Sequence, residues 1–116
     1  MSSRLRQLCY LSTARTECDE AALDAILGVA RDFNAAHGIT GLLAYEGGCF
    51  FQVLEGAPGD VEMVLDRIRR DPRHHGLKVL ADRAVSCRDF SGWAMAYSGF
   101  GKTTADGRAL AKISTA

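Results

Sequence analysis

Gly47 and Gly48 stand between two apolar runs, Ile39 to Tyr45 and Cys49 to Leu54, and nothing else in the chain constrains its fold as tightly. Adjacent glycines between apolar, partly aromatic stretches specify a tight hairpin, because glycine enters the positive-φ turn without a Cβ penalty. In the second run Phe50, Gln52 and Leu54 share one face, and Cys49, Phe51 and Val53 share the other. Neither face is polar, so this strand is expected at the centre of a sheet, covered on both sides. Gln52 is then buried whichever way it points. A buried amide left without partners costs on the order of 1–3 kcal/mol.

The rest of the chain supplies layers for that hairpin. Leu5 to Leu11 reads as a first strand, with Leu8, Tyr10 and Ser12 on one face and Cys9 and Leu11 on the other. Thr16-Glu17-Cys18-Asp19 matches the Ser/Thr-x-x-acid pattern of a helix start, with the first turn placed there or about two to four residues later. Leu23, Ile26, Leu27, Ala30 and Phe33 then repeat with helical spacing, and Gly38 is suited to end the helix. Asn34 falls on the same buried stripe. Its amide needs either a backbone group near the helix C-terminus or a bound polar ring.

Beyond Gly56-Ala57-Pro58-Gly59, a second helix turns Val61, Val64, Leu65 and Ile68 inward and stops at Asp71-Pro72. Arg67 and Asp71 are four apart and can pair with each other at the surface. Leu77 to Val85 reads as a fourth strand and Trp93 to Tyr97 as a fifth, with Trp93, Met95 and Tyr97 on one face. The order β-α-β-β-α-β with an additional fifth strand is a ferredoxin-like α+β fold, two helices on one face of the sheet. Residues 1–98 are expected to form the domain, and 99–116 a linker with a short C-terminal helical tail around Arg108 to Ile113.

Composition excludes more than it asserts. The chain has 116 residues, enough for one domain with a core of its own. Fourteen Lys and Arg balance fourteen Asp and Glu, so no charge footprint points to nucleic acid or a membrane surface. The apolar runs are too short for a membrane span, and the first residues lack a signal-peptide pattern, so a cytoplasmic location is expected. Cys9, Cys18, Cys49 and Cys87 have no zinc spacing and read mostly as small core hydrophobes. His37, His74 and His75 are expected in exposed structural roles, and adjacent His74 and His75 point different ways. Phosphate loops, zinc-protease and hydrolase motifs and paired carboxylates are all missing, so no catalytic or metal-binding residue is assigned.

Over residues 4–98 the chain resembles the BLUF family, sensors of blue light using FAD. The resemblance rests on LCYLS with Tyr10, FNAAHGITGLL with Asn34, FFQVLEG with Gln52, RIRRDPRHH with Arg67 and Asp71, and FSGWAMAY with Trp93 and Met95. It implies a blue-light photoreceptor that holds FAD non-covalently between the two helices and is not an enzyme. It implies Tyr10 as electron and proton donor to the excited flavin, with Gln52 bridging Tyr10 and the flavin edge. By the same resemblance Asn34 bonds the ring's carbonyl and imide edge, and Ile26 and Ile68 enclose the ring. Arg67 and Asp71 then lie near the ribityl, phosphate or adenine part, and Trp93 and Met95 carry the signal outward. Phe33 stands where some relatives have a second amide, and the stretch after Tyr97 is shorter than the helices or effector domain that relatives often carry. The implied partner is a downstream signalling protein or effector domain, with a homo-oligomer formed through the exposed sheet face. A flavin oxidoreductase and a flavin-free ferredoxin-like interaction module are the rival readings.

Overall fold

The computed structural model describes residues 4–16, 19–92, 94–99 and 102–103. Along the chain lie strand β1 (Leu5–Ala14), helix α1 (Glu20–Ala36), strands β2 (Thr40–Glu46) and β3 (Cys49–Gly56), and helix α2 (Pro58–Arg69). Strands β4 (His74–Val85), β5 (Ala96–Gly99) and β6 (Lys102–Thr103) follow. The sheet order is β4-β1-β3-β2-β5-β6. Its first four strands are mutually antiparallel, and β5 adds parallel to β2. This is the expected ferredoxin-like arrangement, with β3 central.

The β2–β3 hairpin turns on Gly47 and Gly48 at φ values of 60° and 81°, both in the region that favours glycine. Its register sets Gly41 opposite Leu54 and Leu43 opposite Gln52. At Gly41 the strands leave no room for a side chain, since a Cβ there would lie 1.9 Å from the Val53 carbonyl oxygen. The helix-side core gathers Leu8, Leu23, Leu27, Leu54 and Val61, each at most 1% exposed. A smaller cluster of Leu42, Val53 and Phe90 covers part of the far face. Phe51 is half-buried there and Cys49 exposed, so β3 is covered fully on one side only.

Several boundaries differ from the sequence reading. Strand β1 runs to Ala14 and not Leu11, because its pairing with β3 and β4 continues to Thr13 and Ala14. Helix α1 is capped by Asp19, not Thr16, because the Asp19 carboxylate accepts the Ala22 N–H at 2.8 Å. Strand β4 starts at His74, three residues before Leu77, and two register shifts against β1 account for its imperfect alternation. Strand β5 starts at Ala96, not Trp93. Side chains of α1 take the preceding carbonyls: Asn34 Nδ2 donates to Ala94 O at 3.0 Å and Arg31 Nε to Met95 O at 2.8 Å. At the other end, β5 pairs with Lys102–Thr103, so ladder bonding continues into the stretch read as a linker. The helical tail read around Arg108 to Ile113 lies outside the described residues, as does Trp93.

Candidate functional site

Between α1 and α2, over the helix side of the sheet, lies a cavity of about 530 Å³. Every residue assigned to cofactor binding lines it: Tyr10, Ile26, Asn34, Gln52, Arg67, Ile68 and Asp71. The floor is set by strand register. Tyr10 on β1 stands directly opposite Gln52 on β3, and both side chains face the helices. The buried Tyr10 hydroxyl donates to Gln52 Oε1. Gln52 Nε2 in turn donates to Met95 Sδ at 3.6 Å, a normal separation for sulfur. The amide is thus engaged at both ends, its oxygen with the tyrosine and one N–H with the thioether, which leaves the second N–H for a further partner. Burial, reinforced by the negative charge of Asp71, holds the Tyr10 hydroxyl well above the ordinary tyrosine range, so it stays protonated.

Asn34 is 2% exposed and reaches across to Ala94 O, a backbone group far along the chain and not one at its own helix end. Its own carbonyl closes α1 by accepting from His37 and Ile39 N–H at 3.1 and 2.9 Å. Met95 is 2% exposed and sits beside Gln52, which brings one of the two signal-transmission residues to the floor of the site.

The Arg67–Asp71 pair does not form. Helix α2 ends at Arg69, so Asp71 no longer obeys helical spacing. Its carboxylate grips Arg73 instead, Nε to Oδ1 at 2.9 Å and Nη2 to Oδ2 at 2.6 Å. That hydrogen bond, aided by the Arg73 charge, lowers the Asp71 carboxyl below its ordinary range. The Arg67 guanidinium lies over the Phe33 ring, 4.2 Å from its centroid.

Two lining residues escaped the sequence reading. Ser12 Oγ and His74 Nδ1 are buried in this cavity with no hydrogen-bond partner among the described residues. Ser12 follows Tyr10 by two on β1, and that spacing alone puts it on the same face. His74 was read as exposed. It is half-buried because β4 begins there, with Nε2 2.6 Å from Ile68 O and its ring edge-on to Phe50. His37 is structural, stacked on Phe33 with its centroid 4.2 Å away. Among the described residues no group of three His, Cys, Asp or Glu is placed to hold a metal. Burial raises the Cys9 thiol above its ordinary value, consistent with an inert role. Cys49 and Cys87, by contrast, are exposed and not core residues, Cys49 lying at the hairpin turn and Cys87 past the end of β4.

Aliphatic and aromatic walls from Ile26, Ile68 and Phe50 suit a flat ring. The unpaired Ser12 and His74 atoms and the amide floor suit a ring with polar edges, and Arg67, Arg70 and Arg73 suit an anionic tail. Fold and cavity together suit a flat heteroaromatic ligand, with Tyr10 and Gln52 in the cavity floor. Comparison with known proteins takes the matter further. Residues 5–96 match the family described as BLUF, sensors of blue-light using FAD, and the chain belongs to that family.

The photoactivated adenylate cyclase subunit beta of Euglena gracilis is 36% identical over 96 residues, which are 81% of this chain and 11% of that protein. The dark-state structure of BlrB, a BLUF protein, superposes with a TM-score of 0.80 at 29% identity, covering 97% of this chain and 83% of that one. Klebsiella pneumoniae BlrP1 with FMN and cyclic diGMP gives a TM-score of 0.80 at 34% identity, covering 96% and 30%. The chain spans about a tenth of the length of the curated relatives first matched. As a member of that family it is a blue-light sensor module that uses a flavin. The oxidoreductase and flavin-free readings give way to this one. No helix among the described residues is long and apolar enough to cross a membrane.

Proposed function

We propose that this domain senses blue light through a hydrogen-bond rearrangement centred on Gln52, driven by Tyr10 and read out at Met95. One observation carries the reading: Tyr10 hydroxyl, Gln52 amide and Met95 sulfur form an unbroken hydrogen-bonded chain along the cavity floor. A bound flavin supplies blue-light absorption and a transient acceptor for an electron and a proton. Tyr10 is the residue positioned to give both up, and its return to the neutral phenol leaves no net chemistry on the chain. Gln52 is the element that changes. Rotating or tautomerising its amide exchanges acceptor for donor, so Tyr10 and Met95 cannot both keep their present partners. The difference is worth about one hydrogen bond, ~1 kcal/mol net, which suits a reversible sensor.

The cofactor is assigned as FAD. Arg67, Arg70 and Arg73 at the cavity rim offer charge to a pyrophosphate that riboflavin lacks. Asn34, Ile26, Ile68 and Asp71 complete the assigned binding set, joined by Ser12 and His74. For output, the far face of the sheet, where Leu11 is 39% exposed, is assigned to a homo-oligomer contact or to a downstream effector. A cytoplasmic location belongs to this reading and suits the free thiols of Cys9, Cys49 and Cys87. The test is an absorption spectrum of the flavin-loaded protein before and after blue light. A small red shift that reverts in darkness is expected; stable bleaching or no change contradicts the reading.

A further inference from the structure

Strand β3 carries a second buried polar residue on the face opposite Gln52. Glu55 is 0% exposed. Its carboxylate accepts from Gln7 Nε2 at 2.9 Å, Thr40 Oγ1 at 2.9 Å, Asp89 N–H at 2.7 Å and Phe90 N–H at 3.0 Å. Burying a carboxylate is costly unless its oxygens are filled, and here both are. Arg88 adds to the same knot, with Nη1 on Thr40 Oγ1 at 2.8 Å and on Glu55 O at 3.1 Å. Gln7 Nε2 also donates to Asp89 Oδ2 at 2.8 Å. No local structure on residues 88–90 requires this. They lie between β4 and β5, and Glu55 holds them to the sheet.

Five residues after Phe90 the chain reaches Met95, on the opposite side of the sheet. Phe90 packs with Leu42 and Val53 on the far face, while Met95 belongs to the helix-side core and touches Gln52. The segment is therefore fixed on one face by Glu55 and on the other by Arg31, Asn34 and Gln52. We infer that Glu55 is a positioning residue for the sensing step: by holding Asp89 and Phe90 it sets where Met95 meets Gln52. Its consequence for signalling rests on the function proposed above, but the positioning itself is testable in darkness.

Glutamine at this position offers one acceptor oxygen where the carboxylate offers two, and turns an NH2 toward donors. The experiment records the Met95 methyl resonance by NMR, and amide exchange at Asp89 and Phe90, in FAD-loaded protein kept dark. Wild type is compared with Glu55→Gln and with Val61→Ala, a core truncation that lines no part of the cavity and leaves the Glu55 knot intact. Glu55→Gln is expected to speed exchange at Asp89 and Phe90 by about tenfold, the loss of roughly one hydrogen bond, and to displace the Met95 methyl resonance. Val61→Ala is expected to leave that resonance in place. An unmoved Met95 resonance in Glu55→Gln, or an equal displacement in Val61→Ala, overturns the inference. If Glu55→Gln does not fold, Thr40→Val withdraws one donor from the same carboxylate and must move Met95 in a smaller step; no movement again overturns it. A wild-type protein with no light-induced absorbance change counts against the proposed function, and the dark comparison still decides the role of Glu55.

Discussion

Asn34 does two jobs with one amide, since it lines the cavity and also carries the Ala94 carbonyl. Alanine there leaves the part-buried Ala94 carbonyl short of a donor and, on the proposed reading, removes a polar contact for the flavin. Asn34→Ala is therefore expected to lower both the melting temperature and the flavin-to-protein absorbance ratio of purified protein. An unchanged ratio removes Asn34 from the binding set. Tyr10 makes a different prediction. Its hydroxyl is raised by burial, so the folded protein keeps a proton that the unfolded chain releases near the ordinary tyrosine value, about 10. Stability from this group is complete below that value and declines as pH climbs above it. The light-induced red shift should accordingly keep its amplitude from neutrality to about pH 9, and a titration of that amplitude within this range contradicts a protonated Tyr10.

The hairpin, the helix faces and the inward face of β1 were all legible in the sequence, because each follows a period of 2 or 3.6 read over several residues. Gly41 shows how tightly the hairpin is drawn. Gly41→Ala must push β3 away from a contact that would otherwise be 1.9 Å, and it should cost about 3 kcal/mol or more by chemical denaturation. What could not be read were the places where a distant side chain decides a local boundary. Strand β5 waits until Ala96 because Asn34 and Arg31 hold the two carbonyls before it. His74 enters the cavity because β4 starts early, and Glu55 gathers partners from three separate segments. The residues named for the floor and walls do line the cavity. The pairing at its rim was not legible, since the helix spacing that suggests Arg67 with Asp71 ends before Asp71.

For the whole domain, the proposed function gives the rim the flavin's tail and the floor the response to light. Arg67→Ala should weaken FAD more than riboflavin in equilibrium titrations, since it removes charge from the tail and not from the ring. Equal weakening places Arg67, stacked on Phe33, against the ring side instead. The Asp71 carboxyl is lowered by its hydrogen bond to Arg73, so its contribution to stability is present above the ordinary aspartate value and fades as pH falls through the lower folded value. Asp71→Asn should therefore unfold more easily than wild type in chemical denaturation above about pH 4, with the difference shrinking as pH falls below it. Output through Met95 and the Glu55 knot matters only if the floor responds to light, and the floor depends on one hydroxyl. The deciding comparison is the light-minus-dark absorption spectrum of Tyr10→Phe beside wild type and Gln52→Leu, each loaded with FAD. Both variants are expected to bind flavin and to lose the reversible red shift. A normal reversible shift in Tyr10→Phe would contradict the mechanism, whatever else the protein binds.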